Sequence, residues 1–133
     1  MTTATTAVPV SRARHWTGWI LSAVPALLLL FDGAAKLARP AAVVEGTVRM
    51  GYPESVLLGL GIVLIACTVL YLIPRTSVLG AILLTGYLGG AVATHVRVSD
   101  YPSVPFPIIF GVLLWGGLYL RDERLRALVP VRR

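Results

Sequence analysis

Residues 16–37 read WTGWILSAVPALLLLFDGAAKL, and this stretch decides the fold. It carries no ionisable side chain before Asp32. As a helix rising 1.5 Å per residue it reaches about 30 Å, enough to cross the hydrocarbon core of a bilayer. Trp16 and Trp19 suit the interfacial belt. Pro25, in the interior, removes the hydrogen bond to the Leu21 carbonyl and is expected to bend the helix.

Working outward, residues 41–50 are too short to span, and Val43, Val44 and Val48 with Glu45 and Arg49 make them mildly amphipathic. They are read as an interfacial helix. Gly51, Tyr52 and Pro53 turn the chain into a second apolar run at 55–73. Pro74, Arg75, Thr76 and Ser77 form a tight link, in which a hydroxyl is expected to cap the next helix. A third run covers 78–96 and a fourth 106–120. The expected fold is therefore all-α: an integral membrane four-helix bundle with a short interfacial helix between the first and second spans. The domain reading is a disordered cytoplasmic tail at 1–14, the four-span domain at 15–121 and a basic cytoplasmic tail at 122–133.

Composition agrees. Of 133 residues, 56% are hydrophobic and only 14% charged, a balance that one soluble core of this size does not hide. The net charge of +6 does not point to nucleic acid, because the arginines fall at the ends of apolar runs, the pattern of membrane topology and headgroup contact. Arg12, Arg14, Arg75, Arg121, Arg124, Arg126, Arg132 and Arg133 share one face, against Lys36, Arg39, Arg49 and Arg97 on the other. The positive-inside rule then puts both termini in the cytoplasm. Cys67 is the single cysteine, so this subunit alone builds neither an intramolecular disulfide relay nor a thiolate metal cage. There is no zinc motif, nucleophile elbow, P-loop or nucleotide fingerprint. No catalytic residue and no metal ligand is assigned.

The polar residues gather toward the outer leaflet. Asp32 lies about one turn inside the end of its run, where an unpaired carboxylate is costly. Lys36, four residues on, shares its face. Gly18, Ser22, Pro25 and Gly33 fall in the same arc, so Asp32 is expected to point into the bundle. A packing pair with Lys36 reaching outward is the competing reading. His95 offers a donor and an acceptor near the end of the third span, and Arg97 follows it. Tyr87, in mid-span, needs a partner for its hydroxyl. Gly86, Gly90 and Ala93, with Gly89 alongside, form a small-residue stripe expected to admit a neighbouring backbone; on a helical wheel His95 lies opposite it. Glu54 is read as complementing a helix dipole, and Arg75 and the tail arginines as orientation signals and lipid contacts.

Four segments carry a family resemblance: FDGAAKL at 31–37, GYPES at 51–55, LYLIPRTSVLGAILLTGYLGGAVATHVR at 70–97 and LLWGGLYLRDERLRALVP at 113–130. Together they resemble the DoxX-like membrane proteins. The resemblance implies a four-helix bacterial inner-membrane protein associated with redox partners, and it marks Asp32, Lys36, Thr94, His95 and Arg97 as the matching polar positions.

The leading functional expectation is a non-catalytic or accessory redox-associated subunit with an outward-facing polar pocket. Asp32, Lys36, His95, Arg97 and Tyr87 are its candidate ligand-binding residues. No cofactor is required by any motif; a quinone is the amphipathic ligand that suits the layout, with a protein partner or a second copy of the chain as further partners. Two other readings stay open: a structural protein docking a larger complex, and a small enzyme acting on a lipid-soluble substrate with Asp32 or His95 as acid or base.

Overall fold

A computed structural model describes residues 7–131. The described residues are helical throughout, apart from short turns and links. Helix α1 spans Ala7–Ala38, α2 Ala41–Arg49, α3 Leu57–Leu72, α4 Ser77–Arg97, α5 Pro105–Arg121 and α6 Glu123–Leu128, with 3₁₀ turns ahead of α3, α4 and α5. Four of these helices, α1, α3, α4 and α5, are long and apolar enough to cross a membrane. The expected four-span bundle and the short helix after the first span are both present.

The first helix begins at Ala7, well before Trp16. Part of the stretch read as a disordered tail is thus helical, and residues 1–6 lie outside the described ones. Pro9 does not oppose this start, because the first four N–H groups of a helix have no partner within it. At the other end, the basic tail opens with α6. Asp122 caps it by accepting from the backbone N–H groups of Arg124 at 2.9 Å and Leu125 at 3.3 Å, and Leu125 is buried.

The spans are arranged as a ring in which α1 packs on α3 and α5, and α4 packs on the same two helices. So α1 and α4 occupy opposite corners. Two backbone crossings set the spacing. On α1, Gly18 lies so close to α5 that a Cβ would come 2.7 Å from the Gly117 carbonyl oxygen, while a Cβ on Gly61 of α3 would come 2.9 Å from that of Gly33. Only glycine permits such approaches. The α4 stripe behaves differently from its expected role: a Cβ on Gly86, Gly89 or Gly90 would meet nothing within 4 Å.

Pro25 is buried inside a continuous α1. The large apolar side chains facing outward include Ile20, Leu27, Leu28 and Phe31 on α1 and Ile108, Ile109 and Val112 on α5, a surface suited to acyl chains. Inside, Ala26, Leu64, Tyr71, Ala81, Leu84 and Leu114 form the core.

The α3–α4 link does not use its hydroxyls as expected. Thr76, at the N-cap position of α4, makes no capping bond with its side chain. Instead Thr76 donates to the Leu70 carbonyl at 2.7 Å, and Ser77 shares its one hydroxyl hydrogen between the carbonyls of Tyr71 at 2.8 Å and Ile73 at 2.9 Å. The last carbonyls of α3 have no helical donor, and these hydroxyls supply one.

Candidate functional site

The bundle has two polar zones, one at each end. The end that carries the termini is closed by Arg121, the last residue of α5. Its guanidinium turns inward, 4.0 Å from the centre of the Trp19 ring and 5.2 Å from that of Tyr71. Nε donates to Ser22 Oγ at 3.0 Å, and Nη2 is buried with no hydrogen-bond partner among the described residues. Sequence reasoning placed Arg121 among the lipid-facing tail arginines and Trp19 in the interfacial belt. The aromatic pair on α1 and α3 draws the cation in. The only signal in the sequence was that Ser22, Trp19 and Arg121 sit at matching depth in antiparallel spans.

The opposite end opens. Because α1 and α4 stand at opposite corners, a cavity of about 600 Å³ lies between them. Leu29, Asp32 and Lys36 form its α1 wall, and Gly86, Tyr87, Leu88, Gly90, Ala91, Thr94 and His95 its α4 wall. Phe106, Pro107 and Phe110 of α5 and Leu60 of α3 line its sides, and the inner face of α2 covers it.

Four of the five candidate residues therefore meet in one place. Asp32 and Lys36 pair on their shared helix face, Oδ2 to Nζ 2.6 Å. The arc predicted around Asp32 is buried at Gly18, Ser22, Pro25 and Gly33, but the Asp32 side chain that lines the cavity is itself 51% exposed, and Lys36 at 16% is the more buried of the pair rather than reaching outward. His95 and the glycine stripe, opposite each other on the helical wheel, both border the cavity for a geometric reason. The cavity takes up about half the circumference of α4, so Gly86 and Gly90 border one edge and His95 the other, with Tyr87, Ala91 and Thr94 between.

His95 Nδ1 lies 3.1 Å from Asp100 Oδ2, and the Asp100 backbone N–H donates to the His95 carbonyl at 2.8 Å. Only Nε2 remains for a ligand. Asp100 sits in the α4–α5 loop, where hydrogen bonding from Ser103 first, and then from His95, holds its carboxyl below its ordinary value of 3.8. Tyr87 lies two turns deeper, about 12 Å along the helix from His95. Its hydroxyl has no hydrogen-bond partner in the protein among the described residues, and its ring lines the cavity.

Arg97 stands apart from the other four. It is not part of the cavity wall: its Nη2 donates to the Met50 carbonyl, and its guanidinium lies 5.9 Å from the centre of the Tyr52 ring. Tyr52 and Thr94, which line the rim, were not both foreseen. Their hydroxyl oxygens are 2.8 Å apart, and Thr94 also donates to the Gly90 carbonyl at 2.8 Å.

Chemically the cavity combines an ion pair, an imidazole nitrogen and a free phenol with walls of Leu and Phe. That mixture receives a molecule with a polar end and an apolar body. A family model described as the DoxX-like family matches residues 20–117, which include every cavity wall. No curated protein and no solved structure matches the chain.

Proposed function

The chain belongs to the DoxX-like family, and on that premise we propose that it is an accessory, redox-associated protein of a bacterial inner membrane that holds an amphipathic ligand, such as a quinone, in the cavity between α1 and α4. The observation that carries this reading is the cavity itself, with Asp32, Lys36, His95 and Tyr87 on walls that are otherwise apolar. An ionisable pair kept at membrane depth is costly to maintain, and its commonest use is at a binding site or pathway. Quinone oxygens need donors, which Lys36 and Tyr87 offer; His95 Nδ1 donates to the Asp100 carboxylate, which leaves Nε2 of the neutral ring to accept from a ligand hydroxyl, and an isoprenoid tail needs the apolar sides. The excess of arginine at the end carrying the termini supports a cytoplasmic placement for both, so that the cavity faces outward.

A second reading, a structural protein docking a larger complex, draws on one feature: Asp32 is already satisfied by Lys36 on its own helix at 2.6 Å, with no ligand required. Native mass spectrometry of the protein extracted in mild detergent separates the two. A copurifying quinone or other amphipathic molecule supports the binding role. A stoichiometric protein partner with no small molecule favours the docking role.

A further inference from the structure

One wall of the cavity is attached unlike the rest. Helix α2 covers it through Val43, Gly46, Thr47 and Met50, yet no residue of α2 is buried. The described hydrogen bonds of its backbone all run within residues 40–52 or to Arg97. Both of its ends turn on left-handed residues, Arg39 with φ 55° and Gly51 with φ 92°. A residue with a Cβ adopts that conformation reluctantly, so the Arg39 turn has to be held by its surroundings. The helix is thus a short, unburied cover between two turns.

The far turn is fastened from α4. Arg97 donates to the Met50 carbonyl and covers the Tyr52 ring, and a Cβ on Gly51 would come 2.8 Å from its Nη2. One turn earlier on the same helix, Thr94 meets the Tyr52 hydroxyl. No carboxylate among the described residues pairs with Arg97, so its described polar contact is to this segment alone.

We propose that Arg97 is a positioning residue that latches α2 over the cavity as a lid, and that release of the Met50 carbonyl lets α2 swing about Arg39 and Gly51 to admit a ligand. What passes the lid rests on the binding role proposed above; the latch itself does not. The guanidinium forms a charge-assisted bond that a neutral amide does not replace.

Hydrogen exchange of the protein in lipid nanodiscs tests it. Nine residues are too few for a helix to be stable away from its supports, so in Arg97→Gln the unlatched α2 is expected to fray and the amides of residues 41–50 to exchange roughly tenfold faster, with α3, α4 and α5 unchanged. Menadione is then expected to associate and dissociate faster, with its equilibrium affinity altered far less. Unchanged exchange in 41–50 overturns the latch. So does acceleration spread evenly through the bundle, or equal acceleration in Arg49→Gln, which removes a nearby charge outside the latch. Should Arg97→Gln fail to fold, Tyr52→Phe removes only the hydroxyl contact with Thr94; a smaller acceleration confined to 41–52 is expected, and none counts against the latch. If menadione binds none of these proteins, the ligand reading fails while the exchange pattern still decides the lid.

Discussion

The Tyr71 hydroxyl has one hydrogen, and the Leu114 carbonyl 2.5 Å away only accepts. Tyr71 therefore donates to Leu114 and accepts from Ser22 Oγ at 2.8 Å, while Ser22 in turn accepts from Arg121 Nε. The result is a directed chain from α5 through α1 and α3 and back to α5, with Tyr71 and Ser22 fully buried. Removing the phenol leaves the buried Ser22 hydroxyl without its acceptor and the Leu114 carbonyl with its helical N–H alone. Tyr71→Phe is expected to lower the stability of the detergent-solubilised protein by about 1–3 kcal/mol, read as a drop in thermal midpoint, with menadione affinity unchanged because the chain lies at the other end of the bundle. Little of this was legible beforehand. An arginine after an apolar run reads as a topology signal, and which way its long stem folds depends on the aromatic rings that tertiary packing brings beside it.

At the scale of helices, the glycines divide into two kinds. Gly18, Gly33, Gly61 and Gly117 let backbones touch, whereas Gly86 and Gly90 border open space in the cavity. The sequence shows spacing but not which helix lies opposite, so the α4 stripe looked like a packing face and the crossings on α1 and α5 went unremarked. The same limit explains Arg97, whose position at the end of α4 suggested the pocket although its reach carries it to Met50. By contrast the spans, α2 and the Asp32–Lys36 pair were readable, since each depends only on run length or on an i, i+4 spacing. The two kinds of glycine should respond oppositely to enlargement. Gly117→Val is expected to separate α1 from α5 and cost more than about 2 kcal/mol by forcing overpacking at the crossing. Gly86→Leu is expected to keep the thermal midpoint close to that of the unaltered protein while filling cavity space and weakening menadione binding. Parallel thermal unfolding and binding titrations of the two variants check both.

For the whole molecule, the ring order of the spans explains why one end closes and the other opens. The Gly18–Gly117 crossing and the Arg121 network draw α1 and α5 together where the termini lie, and at the opposite end the diagonal pair α1 and α4 leaves a space that α2 covers. Apolar composition predicted a bundle and the depth of Asp32 predicted a polar interior, but neither conveys the size of the gap, which follows from how four helices cross. The central claim is that this gap receives the polar end of an amphipathic molecule at Asp32. Titration of menadione into the purified protein and into Asp32→Asn tests it most directly, since the substitution keeps the shape of the side chain while removing the charge that orients Lys36. A loss of affinity of about tenfold or more is expected, with the fold retained by circular dichroism. Equal affinity in the two proteins would contradict the assignment of the cavity as the binding site.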